Sequence, residues 1–498
     1  MKKHKKRPSS LELRLIKRRY CMDNRSFFHQ IRSFNYTFWM LNIIEMLERL
    51  SYYGVRVVIP IYIAQADEIH GLHFSQLQKG QIFMWWALVQ SLIPMFSGGF
   101  ADRYGYKKTL TFSFLLKISG YILMATQREF YPFLGGTLVL ATGTAFFKPG
   151  IQGSLVQTLK PENSSVGWGI FYMLINIGAF LGAPMAHFMY GISWPAVFYA
   201  SAGIISLNLL MLFTYPEIPS NSDKTVSPLS ILKTTLKDVL KPKLLVFIII
   251  MSGFWLVFMQ LFDMLPNFIA DWVDSSDMIS RFRLPSFMLR MTDRGLMVSQ
   301  EWLINANSAI IILTVVFISW LVSRMRRVTS IFIGITITSV GLIVSGYFMS
   351  GYLTVLGILL FSVGEMLASP KMNEYLGIIA PPGKKGQYMG YANIPLAIGW
   401  AYGSFMGGTV YDKMGDKANL AIRYLQNFHQ ISESITRPEA MAKLVEITGL
   451  TSNEATRLLW NTYHPYSLWT RFTLIGFVSA LGIFIFSYYV NEEKDKIK

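Results

Sequence analysis

The chain has 498 residues, of which 52% are hydrophobic and only 15% are charged, and its formal net charge at pH 7 is +17. So large an apolar fraction excludes a set of ordinary soluble domains and indicates a protein that has lipid as its solvent. The positive charge does not indicate a nucleic-acid partner, because Lys and Arg lie in short segments between apolar blocks and not along one soluble face. We therefore expect a multi-pass membrane protein.

The apolar blocks have the length that a helix needs to cross a bilayer, and they predict about twelve transmembrane helices. In chain order the blocks cover residues 36–65, 80–101, 108–127, 130–158, 166–187, 193–214, 243–271, 304–323, 329–350, 352–380, 387–411 and 466–490. The polar, basic stretch 216–242 contains Pro and Ser, as expected of a linker between two six-helix halves. The fold class is therefore an all-α integral membrane protein.

Basic residues set the expected topology. They are concentrated near the N-terminus and in alternate connections between the blocks, so the positive-inside rule predicts that both termini are cytoplasmic. Long outer loops are expected near 272–303 and 412–465, and the second has the spacing of short amphipathic surface helices. In chain order the expected parts are a basic tail 1–35, a six-helix bundle 36–215, the linker 216–242, a six-helix bundle 243–490 and a tail 491–498.

The sequence predicts no removable signal peptide, because no short apolar core with a small-residue cleavage site precedes the first block. The single cysteine, Cys21, falls in the expected cytoplasmic tail, so no intrachain disulfide is expected. The expected location is the plasma membrane, meaning the cytoplasmic or inner membrane that bounds the cell.

The first block contains an unusually polar segment, EMLERLSYYGVR, at 45–56. An ionisable side chain inside a membrane span is expensive, so each one is a hypothesis for a functional site. The charged and hydroxyl-bearing residues here share much of one broad helical face. They are Glu45, Glu48, Arg49, Tyr52, Tyr53 and Arg56. Either they neutralise one another and hold helices together, or they form a proton and substrate site in which breaking a carboxylate–arginine pair changes proton affinity.

Two further ionisable residues extend this site hypothesis. Lys148, beside Pro149, could pair with Glu45 or Glu48, hold an anionic group, or snorkel to the interface. Glu365 stands alone in the tenth block and could line the cavity or pair with a nearby cation such as Lys371. With Arg56 and Lys148 in the first half and Glu365 in the second, the cavity would suit a zwitterion.

Three other ionisable residues have weaker indications of function. Lys117 lies within the third block, where we expect its ammonium group to snorkel to the interface or contact lipid. His187 is expected to be a structural group at a helix end. Asp263 is expected either to pair with a cation or to line the cavity.

The segment GGFADRYGYKKTL, between the second and third blocks, closely resembles the loop signature of the major facilitator superfamily. In that superfamily the acidic and basic residues of the pattern act as a cytoplasmic gate latch. The matching residues here are Asp102, Arg103, Lys107 and Lys108.

Five segments narrow the resemblance to the proton-dependent oligopeptide transporter (POT) family of that superfamily. They are EMLERLSYYGVR (45–56), FFKPGIQ (146–152), FYMLINIGAF (171–180), EWLINANS (301–308) and GEMLASP (364–370). The resemblance implies the superfamily's fold of two six-helix bundles. It also implies a symporter that imports di- and tripeptides with protons by alternating access.

The resemblance also assigns roles to residues. Proton coupling is implied for Glu45, Glu48, Arg49 and Lys148, and binding of the peptide for Tyr52, Tyr53, Arg56, Lys148, Asn176, Asn307 and Glu365. The expected partners are a small peptide, protons and the lipid bilayer, without nucleic acid, and the expected state is a monomer. No cofactor and no metal are expected, because the proton gradient drives transport, and the protein is not expected to be an enzyme.

Two departures from the family pattern keep an alternative open. Met259 precedes Gln260 where many members carry an acidic residue, although Asp263 lies one turn later on the same face and could compensate. Tyr391 and Ala392 stand where many members carry a tryptophan in the eleventh helix. The alternative is a proton-coupled transporter of the same fold for nitrate, an amino acid or a peptide-like compound. A membrane-embedded enzyme is less supported, because the 7 histidines form no recognisable ligand pair.

Overall fold

Long helices make up most of the computed structural model, which describes residues 27–160, 163–218, 237–380, 388, 390–431 and 434–489. We number the long helices of the described residues α1–α12. The first half contains α1 (Tyr36–Ala64), α2 (Gln76–Leu92 and Pro94–Tyr104), α3 (Tyr106–Thr126), α4 (Phe130–Thr158), α5 (Ser164–Tyr190) and α6 (Trp194–Met211). The second half contains α7 (Pro242–Asp263 and Leu265–Trp272), α8 (Gln300–Ser323), α9 (Arg327–Gly346), α10 (Gly351–Ile379), α11 (Asn393–Met414) and α12 (Leu468–Tyr489).

Each of the predicted blocks corresponds to one of these helices, and capping residues explain part of the difference in their bounds. Ser75 and Gln78 form a reciprocal capping box, so α2 begins at Gln76 and not at residue 80. The second segments of α2 and α7 open with Pro94 and Pro266 in their first turns, where the missing N–H breaks no helical hydrogen bond. These prolines divide two blocks that the sequence predicted as continuous.

Hydropathy alone identifies fewer membrane-spanning helices than the twelve long helices of the described residues. Eight described helices are long and apolar enough to cross a membrane by length and composition, or nine if the bent α8 is one span. The first segment of α2 is short, with 17 residues, and α1 carries the charged segment described above. The charges of α1 and the break in α2 therefore keep these two helices out of the count made by hydropathy, as expected where a bundle builds a polar interior.

Packing divides the long helices into two halves, and three helix pairs make most of the contact between them. Within the first half, α1 packs on α5 and α6, and α3 packs on α4 and α6; within the second, α9 packs on α10 and α12, and α7 on α11 and α12. The halves meet where α2 contacts α11, α5 contacts α8, and α1 contacts α7. A Cβ added to Gly408 would lie 2.5 Å from Gln76 O, so the α2–α11 pair depends on small residues at the crossing.

The connections at one end of the bundle, which we call the loop end, are structured. An antiparallel hairpin of β1 (Leu289–Thr292) and β2 (Gly295–Val298) pairs Leu289 with Val298. Between α11 and α12 lie three short helices, Lys417–His429, Ala440–Thr448 and Ser452–Tyr463, whose buried leucines join the hydrophobic core of the bundle. We call the described residues from 416 to 464 the cap. The opposite end, where residues 212–218 and 237–241 flank the linker, is called the linker end.

Candidate functional site

The charged face of α1 forms a buried ion-pair cluster with α3. Arg49 Nε lies 3.2 Å from Glu45 Oε1, and the Arg49 guanidinium also pairs with the Glu48 carboxylate. Lys117, on α3, pairs with the other oxygen of Glu48. All four side chains are buried, so water screens these attractions only weakly. Two carboxylates and two cations therefore connect α1 to α3 inside the first half.

The expectation that Lys117 snorkels to the interface is wrong. Lys117 is near the middle of the 21-residue helix α3, about 15 Å from either end at 1.5 Å per residue, and is fully buried. That depth exceeds the reach of a lysine side chain, so the ammonium group points into the bundle, where it pairs with Glu48 and lies 5.1 Å from the ring centroid of Phe147. The central position of the residue in its block is the sequence signal that could have identified it.

Lys148 adds a third cation to this cluster from α4. It precedes Pro149, is half-buried, and its charge reaches both Glu45 and Glu48. The ion pairs of these carboxylates among the described residues are made by other cations, so Lys148 holds neither of them directly. With Lys148 included, the cluster carries one net positive charge.

Tyr52 and Tyr53 lie beside the cluster on the next turn of α1. The Tyr52 hydroxyl accepts a hydrogen bond from Gln90 Nε2 at 3.1 Å, and its ring centroid lies 5.4 Å from the Arg49 guanidinium carbon. The Tyr53 ring packs edge-on against that of Tyr52, with centroids 5.3 Å apart, and the side chain is half-buried. Tyr52 is thus a buried neighbour of the cluster, whereas Tyr53 is more accessible.

Glu365 provides an isolated negative charge on the second half. Asn307 Nδ2 donates to Glu365 Oε2 at 3.2 Å and to Ser362 Oγ at 2.8 Å, which connects α8 and α10. Lys371 pairs with Glu374 at 2.7 Å and not with Glu365, so the simple structural pairing considered from the sequence does not form. Among the described residues, no cation lies within ion-pairing distance of Glu365.

Asn176 and Tyr172 lie on α5, in the first half of the molecule, and Tyr172 lies within range of the charge of Glu365. The charge of Glu365 acts on both Tyr172 and Tyr53, which places α1, α5 and α10 around one space. Asn176 Nδ2 donates to the Tyr172 carbonyl at 2.8 Å, four residues earlier on its own helix, and Tyr172 is 43% exposed. In this conformation Asn176 therefore directs its amide N–H to its own helix backbone.

Arg56 lies outside this space because it pairs with Asp263 across the two halves. The Arg56 guanidinium forms an ion pair with Asp263 and donates to Phe262 O at 3.3 Å, and Ser404 on α11 donates to the other Asp263 oxygen. The guanidinium carbon lies 4.6 Å from the ring centroid of Phe83. Binding of a ligand carboxylate by Arg56 would require this buried pair to open.

More polar contacts join the halves at the loop end. Across α5 and α8, Glu301 Oε1 lies 2.6 Å from His187 Nδ1 and accepts from the Tyr190 hydroxyl at 2.7 Å. His187 is thus part of the interface, where the sequence predicted only a structural helix end. Other cross-half contacts are Gln65 with Asp271 at 2.8 Å, Lys79 with Asn267 at 2.7 Å and Glu68 with Arg290 at 2.5 Å. These contacts close the loop end of the interface.

Glu68 shows that one of these contacts depends on pH. Glu68 lies in the loop after α1, and its carboxylate is buried. This burial raises the pKa of Glu68 above its ordinary value, although the positive charge of Arg290 opposes the rise. Protonation removes the charge that attracts Arg290. As pH falls, this ion pair is therefore lost at a higher pH than a pair made by an exposed carboxylate.

The predicted loop between α2 and α3 is reduced to Gly105, because α2 ends at Tyr104 and α3 begins at Tyr106. The side chain of Asp102 lies outside the described residues, and Arg103 and Lys108 are exposed. Lys107 Nζ donates to Tyr215 O at 2.7 Å, and its backbone N–H donates to Glu217 at 3.2 Å. Lys107 thus ties this loop to the end of the first half beside the linker.

The eleventh helix contains a tryptophan, although not at the position of Tyr391 and Ala392. Tyr391 and Ala392 precede α11, which begins at Asn393, and the Tyr391 hydroxyl donates to Asp238 Oδ2 at 3.2 Å. Within α11, the buried Trp400 has its ring centroid 5.6 Å from the Arg56 guanidinium carbon. The predicted start of this helix at residue 387 lies outside the described residues.

Residues 41–404 match the family described as Major Facilitator Superfamily. This chain belongs to that superfamily. Among curated relatives, Multidrug resistance protein MdtH of Proteus mirabilis is 24% identical over 329 residues, which cover 65% of this chain and 76% of the relative. MdtH of Salmonella paratyphi B is 23% identical over the same number of residues.

Solved structures of POT family transporters share the fold of this superfamily member. One, in complex with 5-aminolevulinic acid, has a TM-score of 0.64 and 18% identity, covering 91% of this chain and 96% of its own. PepTSo, also of the POT family, has a TM-score of 0.64 and 14% identity, covering 91% and 98%. The all-α fold of two six-helix bundles is thereby confirmed, and the chain is a membrane transporter by superfamily.

Proposed function

We propose that this protein is a POT family symporter that imports di- and tripeptides together with protons by alternating access of its two halves. The proposal places it in the plasma membrane with both termini in the cytoplasm. Superfamily membership and the POT-like fold support transport, and the charges between the halves support the peptide as the solute.

The observation that supports the proposal is that the first half presents a net positive charge and the second half a negative charge. Glu365 of the second half lacks an ion-pair partner among the described residues, whereas the cluster on α1, α3 and α4 carries one net positive charge. A zwitterionic peptide places an ammonium group at one end and a carboxylate at the other. The ammonium group would be held by Glu365 with Asn307, and the carboxylate would be held by Lys148.

Proton coupling is assigned to Glu45 and Glu48. Glu45 Oε2 is buried and has no hydrogen-bond donor among the described residues, so it is the position at which a proton would be held. Arg49 pairs with both carboxylates, so protonation of one of them weakens its hold on the guanidinium. A ligand carboxylate near Lys148 competes with the carboxylates of Glu45 and Glu48 for the positive charge of this cluster. This competition links proton binding to solute binding.

The test is uptake of a labelled dipeptide into proteoliposomes under an inward proton gradient. We expect gradient-driven accumulation by the intact protein and its loss in Glu48→Gln, Lys148→Ala and Glu365→Gln. Glu374→Gln is the matched control on α10, because Glu374 lies toward the linker end, pairs with Arg327 and Lys371, and has a side chain that is 40% exposed. Accumulation by Glu365→Gln equal to that of Glu374→Gln would reject the assigned role of Glu365.

A second candidate is a transporter of the same fold for another small solute. The relatives named as multidrug resistance proteins favour a drug, and the departures at Met259 and before α11 leave room for nitrate, an amino acid or a peptide-like compound. Competition against dipeptide uptake separates these solutes. A drug exporter would run down an imposed proton gradient when its drug is added, without accumulating dipeptide.

A further inference from the structure

A single side chain of the cap, Arg437, reaches across to the first half of the molecule. Its Nη1 donates to Phe74 O at 2.7 Å and to His73 O at 3.4 Å, in the connection between α1 and α2. Its Nη2 donates to Ala64 O at 2.9 Å and to the carboxylate of Asp416, within the cap, at 2.5 Å. One guanidinium thus bridges an acidic group of the cap and three backbone carbonyls of the first half.

The carbonyls at the end of α1 explain why this bridge matters. The last four carbonyls of a helix lack partners within it, and the residues of the following loop satisfy three of them here. Gln65 N, Leu72 N and Phe74 N donate to the carbonyls of residues 61, 62 and 63, at 3.0, 2.8 and 2.8 Å. The fourth carbonyl, that of Ala64, accepts from Arg437 and, at 3.3 Å, from Gln76. The cap therefore completes the end of a helix that belongs to the other half.

The cap itself is fixed to the second half. It follows α11 directly, and Trp460 packs on Phe268 and Trp272 with ring centroids 6.1 and 5.7 Å apart. Asn453 Nδ2 donates to Arg294 O, beside the hairpin, at 3.2 Å. A rearrangement that separates the halves at the loop end would thus carry the cap with the second half.

Gln76, at the start of α2, provides a neighbouring link. Its side chain donates to Asp416 Oδ2 at 3.0 Å, and its backbone N–H donates to Asp412 Oδ1 at 3.1 Å. Asp416 therefore accepts hydrogen bonds from both Gln76 and Arg437, and it also caps the first helix of the cap through Asn419 N at 2.9 Å. The contacts form one buried network on both sides of the interface.

We propose that the cap is a clamp on the loop end and that Arg437 is its latch. Opening of the loop end requires Arg437 to leave Ala64, His73 and Phe74, so the latch sets the fraction of molecules in which this end is open. The clamp rests on the alternating access of the proposed function, but not on which solute is carried. It assigns a role to the long loop between α11 and α12, for which the sequence indicated none.

The experiment measures spin-label distances in detergent or nanodiscs by double electron–electron resonance. Labels are placed at Ile69→Cys, which is 73% exposed in the α1–α2 connection, and at Glu446→Cys, exposed on the cap, in a Cys21→Ser background. The ratio to be measured is that of molecules with a long label-to-label distance to molecules with a short one. Because Arg437 makes several charge-assisted hydrogen bonds, we expect Arg437→Gln to raise this ratio by about tenfold. Arg437→Lys, which lacks the forked geometry, should raise it less.

Two further variants make the result decisive. Arg423→Gln is the matched control, because Arg423 is a cap arginine that bonds to Lys413 O at 3.1 Å within the second half, and it should leave the ratio unchanged. Gln76→Ala weakens the same interface from the first half without altering the cap, and it should also raise the ratio. An unchanged ratio in both Arg437→Gln and Gln76→Ala would overturn the proposal. Because no solute or proton gradient is present, a failure of peptide transport would not alter this result.

Discussion

Lys117 and Glu48 offer the most direct test of the buried cluster. Replacing Lys117 with Met leaves Glu48 buried with Arg49 as its remaining ion-pair partner. Removing one partner of a buried ion pair costs about 3–5 kcal/mol, and the remaining Arg49 places the expected loss near the lower value, about 3 kcal/mol. The unfolding entropy of a chain of this length converts that loss into a fall of about 3 °C in the unfolding temperature.

The assay is thermal unfolding of purified protein in detergent, followed by tryptophan fluorescence at a fixed scan rate. Lys117→Met and Glu48→Gln are each expected to lower the unfolding temperature. The double variant is expected to lose about 2 kcal/mol less than the sum of the two single losses, because no buried charge is then left without its partner. Lys160→Met is the control, since Lys160 is exposed just after α4. Strict additivity of the two single losses would refute the assigned ion pair.

Two other predictions concern the interface between the halves. Asp263→Asn is expected to weaken the hold on Arg56 and to raise the fraction of molecules with an open loop end, measured with the same spin labels; an unchanged fraction would contradict this role. Gly408→Ala is expected to force α2 away from α11 and to reduce the yield of folded protein, because its added Cβ would lie 2.5 Å from Gln76 O. Gly203→Ala, where a Cβ meets no atom within 4 Å, should leave the yield of folded protein unchanged.

The proposed alternating access would account for an interface made of many separate polar contacts. In such a cycle each hydrogen bond or ion pair between the halves breaks and forms again, whereas a large apolar interface would hold one state too firmly. Glu68 with Arg290 and Glu301 with His187 are contacts of this kind, with distances of 2.5 and 2.6 Å. The cap adds further hydrogen bonds between the halves at the same end. These contacts stabilise the closed state of the loop end.

The charges that the sequence singled out on α1 are buried in the structure, and so is Lys117, which the sequence placed at the interface or against lipid. The segment from Glu45 to Arg56 was identified because charges in an apolar block are expensive wherever the block packs. The sequence left open whether Asp263 pairs and with which cation, because its partner Arg56 is 207 residues away in the chain. Lys117 was assigned to the interface, although its position at the middle of α3 leaves an ammonium group no path to water.

The sequence by itself determined the class of the protein, the approximate position of the long helices and the charged face of α1, because apolar length and the energetic penalty of charge in lipid act locally along the chain. Only the tertiary structure decided which charges pair, where α2 and α7 break, and that the cap closes the end of α1. Those features depend on contacts between residues far apart in the chain, such as Arg437 and Ala64, and no local pattern encodes the distance between them.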